Sequence, residues 1–169
     1  MIVSGLRHRA ENPREREKGF SAIEMAATVA IILVVVGVAI PVVNNALAAY
    51  KLRSAVSAIT GTIQATRYQA IYQGYSYQVV FDATGKTYQV QNKVPGATGF
   101  SNVGTAASWS DSLEQITLNA STTLTFSPSG KVQLGGGAGS CPCTMTLSYP
   151  GRPSELITVS SFGDTNVTP

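Results

Sequence analysis

The sequence predicts an α+β protein: a long N-terminal α-helix, transmembrane in its first half, packed on a small antiparallel β-sandwich-like head. Three observations lead there. Residues 20–43 form an apolar run in which Glu24 carries the one formal charge. Residues 52–70 then repeat apolar side chains at helical spacing, and after Gly74 the period changes from about 3.6 to about 2. These divide the chain into residues 1–19, 20–43, 44–73 and 74–169.

The apolar run comes first. A helix over residues 20–43 covers about 36 Å at roughly 1.5 Å per residue, enough to cross a bilayer core of about 30 Å. Pro41 falls late in it and is expected to kink the helix by removing one hydrogen bond. Asn44 and Asn45 mark the exit from lipid. Beyond them Leu52, Val56, Ile59, Ile63, Thr66 and Ala70 recur at steps of three and four, one mostly apolar stripe. Lys51, Arg53, Ser57, Gln64 and Arg67 fall mostly on other faces. The helix is therefore expected from about Phe20 to about Tyr72, with Gly74 as terminator.

Strands follow. Residues 75–81 and 87–91 read as a hairpin about the turn Asp82-Ala-Thr-Gly-Lys86. Residues 92–111 read as a long loop carrying Trp109. Further strands are expected at 115–119, 122–126, 131–134, 144–149 and 156–160, with Ser127-Pro-Ser-Gly130 and Pro150-Gly-Arg-Pro153 as turns. That makes seven short strands in two antiparallel sheets.

Charge sets the orientation. Of the 12 basic residues, Arg7, Arg9, Arg14, Arg16 and Lys18 precede the run. After Gly19 seven bases face six acids, so the remainder is close to neutral. A basic prelude keeps the N-terminus in the cytoplasm and puts the C-terminal head outside it, in a bacterium the periplasm. The two cysteines, Cys141 and Cys143, fall in that oxidising compartment.

A carboxylate within an apolar run costs about 2.5–3.5 kcal/mol near the bilayer centre and less near its edge. Glu24 therefore demands an explanation. An ordinary signal peptide would use Ala46-Leu47-Ala48 as its cleavage site, but the run exceeds the usual 7–15 or so apolar residues and contains Glu24. An uncleaved signal anchor is a second reading. The third uses all the features together, and within it a Glu24 carboxylate reaching out to interfacial water is the alternative to a charge pair. Lys18-Gly19-Phe20-Ser21-x-x-Glu24 before an apolar run resembles the class III signal of type IV pilins and type II secretion pseudopilins. In that family a membrane prepilin peptidase cuts after the glycine and methylates the new terminal residue. The resemblance implies a cut between Gly19 and Phe20, N-methylation of Phe20, and removal of a leader longer than most in the family. It also implies that Glu24 of one subunit neutralises the new amine of a neighbour during filament assembly. Two such charges are tolerable in lipid only when paired.

Looser motifs extend the resemblance. Arg67-Tyr-Gln-Ala-Ile-Tyr-Gln-Gly74, Tyr77-Gln-Val-Val-Phe81 and Leu124-Thr-Phe-Ser-Pro-Ser-Gly130 are similar to the pseudopilin H and FimT group. Such heads often close on a Gly-Arg pair, whereas here Gly163 precedes Asp164.

Other chemistry has little to rest on. The single histidine, His8, precedes the implied cut, which removes a Ser-His-Asp or Cys-His mechanism from the mature chain. The carboxylates show no metal-ligand spacing. Gly135-Gly-Gly-Ala-Gly139 lacks a phosphate-loop lysine and reads as a flexible loop. Cys141-Pro142-Cys143 is a candidate local disulfide, with free or intermolecular thiols as the alternative. Neither enzyme activity, cofactor nor metal is expected.

The function expected is that of a minor pseudopilin in a type II secretion fibre. Its partners would be prepilin peptidase, other pseudopilins or pilins, an inner-membrane assembly platform and membrane lipid. The alternative is a FimT-like minor type IV pilin serving DNA uptake or pilus assembly. A third reading is an anchored periplasmic domain that never assembles. Nucleic acid is the disfavoured partner, since Lys86, Lys93, Lys131 and Arg152 are spread along the head. Tyr68, Tyr72, Tyr75, Tyr77 and Tyr88 could stack on bases, though packing is the commoner fate of such residues.

Overall fold

The computed structural model describes residues 19–110, 115–135 and 139–169. Residues 1–18, which carry the expected leader, and residues 136–138 of the glycine-rich loop lie outside the described residues. Two compact units divide after Val42.

Helix α1 (Ala22–Gln73) contributes to both units and contains Pro41. Proline has no N–H, so the carbonyl of Gly37, four residues earlier, loses its usual helical donor. The helix stops where Gly74 takes φ 75° and donates its N–H to the Ala70 carbonyl at 3.1 Å. That left-handed conformation is one glycine adopts at little cost.

In the second unit the six stripe residues Leu52, Val56, Ile59, Ile63, Thr66 and Ala70 are all buried, joined by Ala48 and Ala55. Their cover is ten antiparallel strands among the described residues. One sheet runs in the order β3 (Ser101–Asn102), β2 (Thr87–Lys93), β1 (Ser76–Asp82), β6 (Thr122–Phe126), β7 (Val132–Leu134), with β4 (Ala107–Ser108) also pairing with β2. The other runs β10 (Thr165–Thr168), β9 (Glu155–Val159), β8 (Cys143–Ser148), β5 (Thr117–Leu118).

Alternation decides which side chains enter the core. Tyr77, Val79 and Phe81 of β1, Leu124 and Phe126 of β6, Met145 and Leu147 of β8, and Ile157 and Val159 of β9 are buried. They form one cluster with the helix stripe. Each large apolar side chain buried there contributes about 1.5–3 kcal/mol. The β1–β2 register pairs Asp82 with Thr87, leaving a four-residue turn in which Asp82 Oδ1 accepts from the Thr84 N–H at 3.0 Å.

Two expectations need correcting. Residues 92–111 are not one loop, because β3 and β4 both pair along β2, and Trp109 is buried with its ring 6.3 Å from that of Phe81. The strand count is also higher than seven, since β10 pairs with β9 where no strand was expected. Both errors have one physical origin: these strands are too short or too exposed to show a period of their own.

Candidate assembly segment

Gly19, Phe20 and Ser21 precede the helix, which begins at Ala22. The Ser21 carbonyl accepts from the N–H groups of Glu24 at 3.0 Å and Met25 at 3.1 Å, so Ser21 is the N-cap and Glu24 the third helical residue. That is the spacing of a capping box. A carboxylate in the first turn also complements the positive end of the helix dipole. Glu24 thus also suits the start of the helix by its position and charge. The signal, serine followed three residues later by glutamate, is present in the sequence.

Every residue from 19 to 47 is exposed. Val29, Ile31, Leu33, Val34, Val35 and Val38 are all exposed and do not share one face, so the helix is apolar all round. It is the one helix among the described residues long and apolar enough to cross a membrane. Such a surface requires lipid or protein cover.

The head binds its own part of the helix by polar contacts as well. Gln64 Nε2 donates to the Gly163 carbonyl at 2.9 Å and to Thr165 Oγ1 at 3.1 Å. Arg67 Nη1 lies 3.3 Å from Asp164 Oδ1. The acid after Gly163 therefore has a partner on the helix. With the two side chains 28% and 77% exposed, that pair stabilises by at most about 1 kcal/mol.

Cys141 and Cys143 are joined as a disulfide, with Cα atoms 4.6 Å apart. The Cys141 N–H donates to the Val132 carbonyl of β7, while Cys143 opens β8 opposite Val159. The bridge thus spans the corner where the chain leaves one sheet for the other.

The dispersed cations stay dispersed. Lys86 lies in the β1–β2 turn, Lys93 ends β2, Lys131 precedes β7, and Arg152 lies between β8 and β9. Of the tyrosines, Tyr77 is buried and Tyr75 and Tyr88 pack against the core, whereas Tyr68 and Tyr72 are exposed and stacked with centroids 6.1 Å apart. Among the described residues no group of three or more His, Cys, Asp or Glu is placed to hold a metal ion.

A long helix, apolar and uncovered in its first half and laid against antiparallel sheets in its second, defines the pilin-like and pseudopilin fold. Two solved structures share it. The type IV minor pilin FimU of Pseudomonas aeruginosa superposes with a TM-score of 0.53 at 17% identity, covering 71% of this chain and 90% of FimU. The minor pseudopilin EpsH from the Type 2 Secretion System of Vibrio cholerae gives 0.53 at 12% identity, covering 70% of this chain and 96% of EpsH. No protein-family model and no curated protein sequence matches the chain.

Proposed function

We propose that this protein is a minor subunit of a pilus-like fibre, most concretely a minor pseudopilin supporting protein export by type II secretion. The observation that carries the reading is the uncovered apolar helix that follows Phe20 and Ser21 and holds Glu24 in its first turn. Residues 1–19 are the cytoplasmic leader that prepilin peptidase removes. Residues 20–43 hold the chain in the inner membrane and then enter the fibre core. Residues 44–73 and 74–169 form the periplasmic head. Pro41 provides the point at which the helix bends when it packs. Its working partners are prepilin peptidase, neighbouring pilin-like subunits and the assembly platform, and it performs no catalysis.

Likeness to FimU supports a second reading equally, a minor type IV pilin. Deleting the protein and measuring both export of secreted proteins and pilus function, including DNA uptake, separates the two. The shared step is tested by mass spectrometry of the membrane-purified chain. The expected product starts at Phe20 and carries one added methyl group, and it disappears in a strain lacking the peptidase. An intact N-terminus in wild-type cells refutes the proposal.

Glu24 needs a sharper test because two roles compete there. Glutamine keeps a side chain that can serve at the third position of a capping box but removes the charge. Under the proposal Glu24→Gln and Glu24→Ala are both processed and both fail to enter fibres. Normal assembly by Glu24→Gln alone would leave helix capping as the whole role of Glu24.

A further inference from the structure

The turn between β8 and β9 carries a feature outside the proposed assembly segment. Pro150 and Gly151 are its central residues, Gly151 has φ 74°, and the Arg152 N–H donates to the Tyr149 carbonyl at 3.1 Å. Proline followed by a positive-φ glycine is the pattern of a type II turn, which fixes the backbone that presents Arg152. The guanidinium reaches across the head and donates from Nη2 to the backbone carbonyl of Asn45. Asn45 lies two residues past Val43, the last of the apolar run, about 3 Å along a helix axis.

Arg152 shares a cleft of about 200 Å³ with Arg53, half-buried Glu155 and the apolar side chains of Leu52 and Pro153. Among the lining side chains two guanidinium groups face one carboxylate, and Pro169 completes the lining. The adjoining helix bears the composition of a membrane interface: Asn44, Asn45, an exposed Tyr50, then Lys51 and Arg53. Tyrosines concentrate at the headgroup level, and Lys and Arg there engage lipid phosphates. Arginine suits a phosphate best, because its planar fork donates two parallel hydrogen bonds.

We infer that the Arg53–Arg152 cleft is a headgroup site that holds the head on anionic phospholipid before the subunit enters a fibre. Arg152 keeps its bond to Asn45 and offers its remaining donors to the phosphate, with Arg53 closing the other side. The inference rests on the reading that residues 20–43 span the membrane.

The experiment uses the full chain in nanodiscs of phosphatidylcholine, with or without phosphatidylglycerol, and follows hydrogen–deuterium exchange in residues 44–53 and 148–156. Exchange is expected to slow in the phosphatidylglycerol discs, by roughly fivefold for each arginine engaged. Arg53→Gln and Arg152→Gln should each remove their share. Arg53 is exposed, so its variant leaves the head intact even if loss of the Arg152–Asn45 bond disturbs it. Equal exchange in the two lipids, or protection unchanged in Arg53→Gln, overturns the inference while leaving membrane insertion standing. Protection by inorganic phosphate in detergent micelles would assign the cleft to a free anion and overturn the lipid site. Failure of the chain to insert into discs at all sinks the spanning reading, and the inference with it.

Discussion

Replacing Ile63 by alanine tests whether the second half of the helix is part of the head's core. Ile63 is 0% exposed and belongs to the cluster that includes Phe81, Met145 and Ile157. Truncating a buried isoleucine to alanine costs about 2–5 kcal/mol, the sum of lost transfer energy and a residual cavity. Alanine is the better helix former by at most about 0.7 kcal/mol, so this gain cannot cancel the loss. The net expectation is a destabilisation of about 1.3–4.3 kcal/mol. The assay is denaturant unfolding of the detergent-solubilised chain, followed by the fluorescence of Trp109, the single tryptophan and a buried one. A matched control is Tyr68→Ala, one turn further along on an exposed face, expected to stay within about 0.5 kcal/mol. If Ile63→Ala moves the midpoint no more than Tyr68→Ala does, the helix is not a structural layer of the head.

Further outcomes follow from the connections to it. Gly163→Ala should destabilise the head by about 1–3 kcal/mol, because φ is 81° and a Cβ there would stand 2.7 Å from Arg67 Cδ. An unchanged unfolding midpoint would contradict it. Reducing the Cys141–Cys143 bridge closes out a three-residue loop, which chain entropy values at about 1.6 kcal/mol at 25 °C, so the reduced head should unfold earlier by about that amount. Two alkylatable thiols in the native, unreduced protein would remove the bridge from the account. Pro41→Ala should raise helix stability in detergent by restoring the bond to Gly37, and should impair fibre entry if bending is needed there. Circular dichroism and a fibre-incorporation assay read the two effects separately.

Much of this fold could be read from side-chain periodicity alone. The helix stripe is legible because Leu52, Val56, Ile59, Ile63, Thr66 and Ala70 face one continuous core, and burial on one face imposes the 3.6-residue period. β6 was legible in full, and β1, β8 and β9 to within a residue at each end, because each buries alternate residues. β3, β4 and β10 were not. The first two have two residues each and exist through their pairing with β2. β10 is largely exposed, so Thr165-Asn-Val-Thr168 carries no alternation. Within the assembly segment, the residue types at Gly19, Phe20 and Glu24 were apparent from their spacing. What spacing did not fix was the helix start at Ala22, which puts Glu24 in the first turn. The cleft of Arg53 and Arg152 was hidden for a different reason: about a hundred residues separate its two cations, and folding alone brings them together.

The bonds from Gln64 to Gly163 and Thr165 join groups 99 and 101 residues apart. A chain synthesised from its N-terminus presents Ile59 and Ile63 long before β9 and β10 arrive to cover them. Contacts of such long range also form slowly, since loop closure precedes any stabilisation. During synthesis the stripe must therefore wait, wetted or shielded, until the last strands have emerged. The interval between the two arrivals is when this head is most open to aggregation or proteolysis.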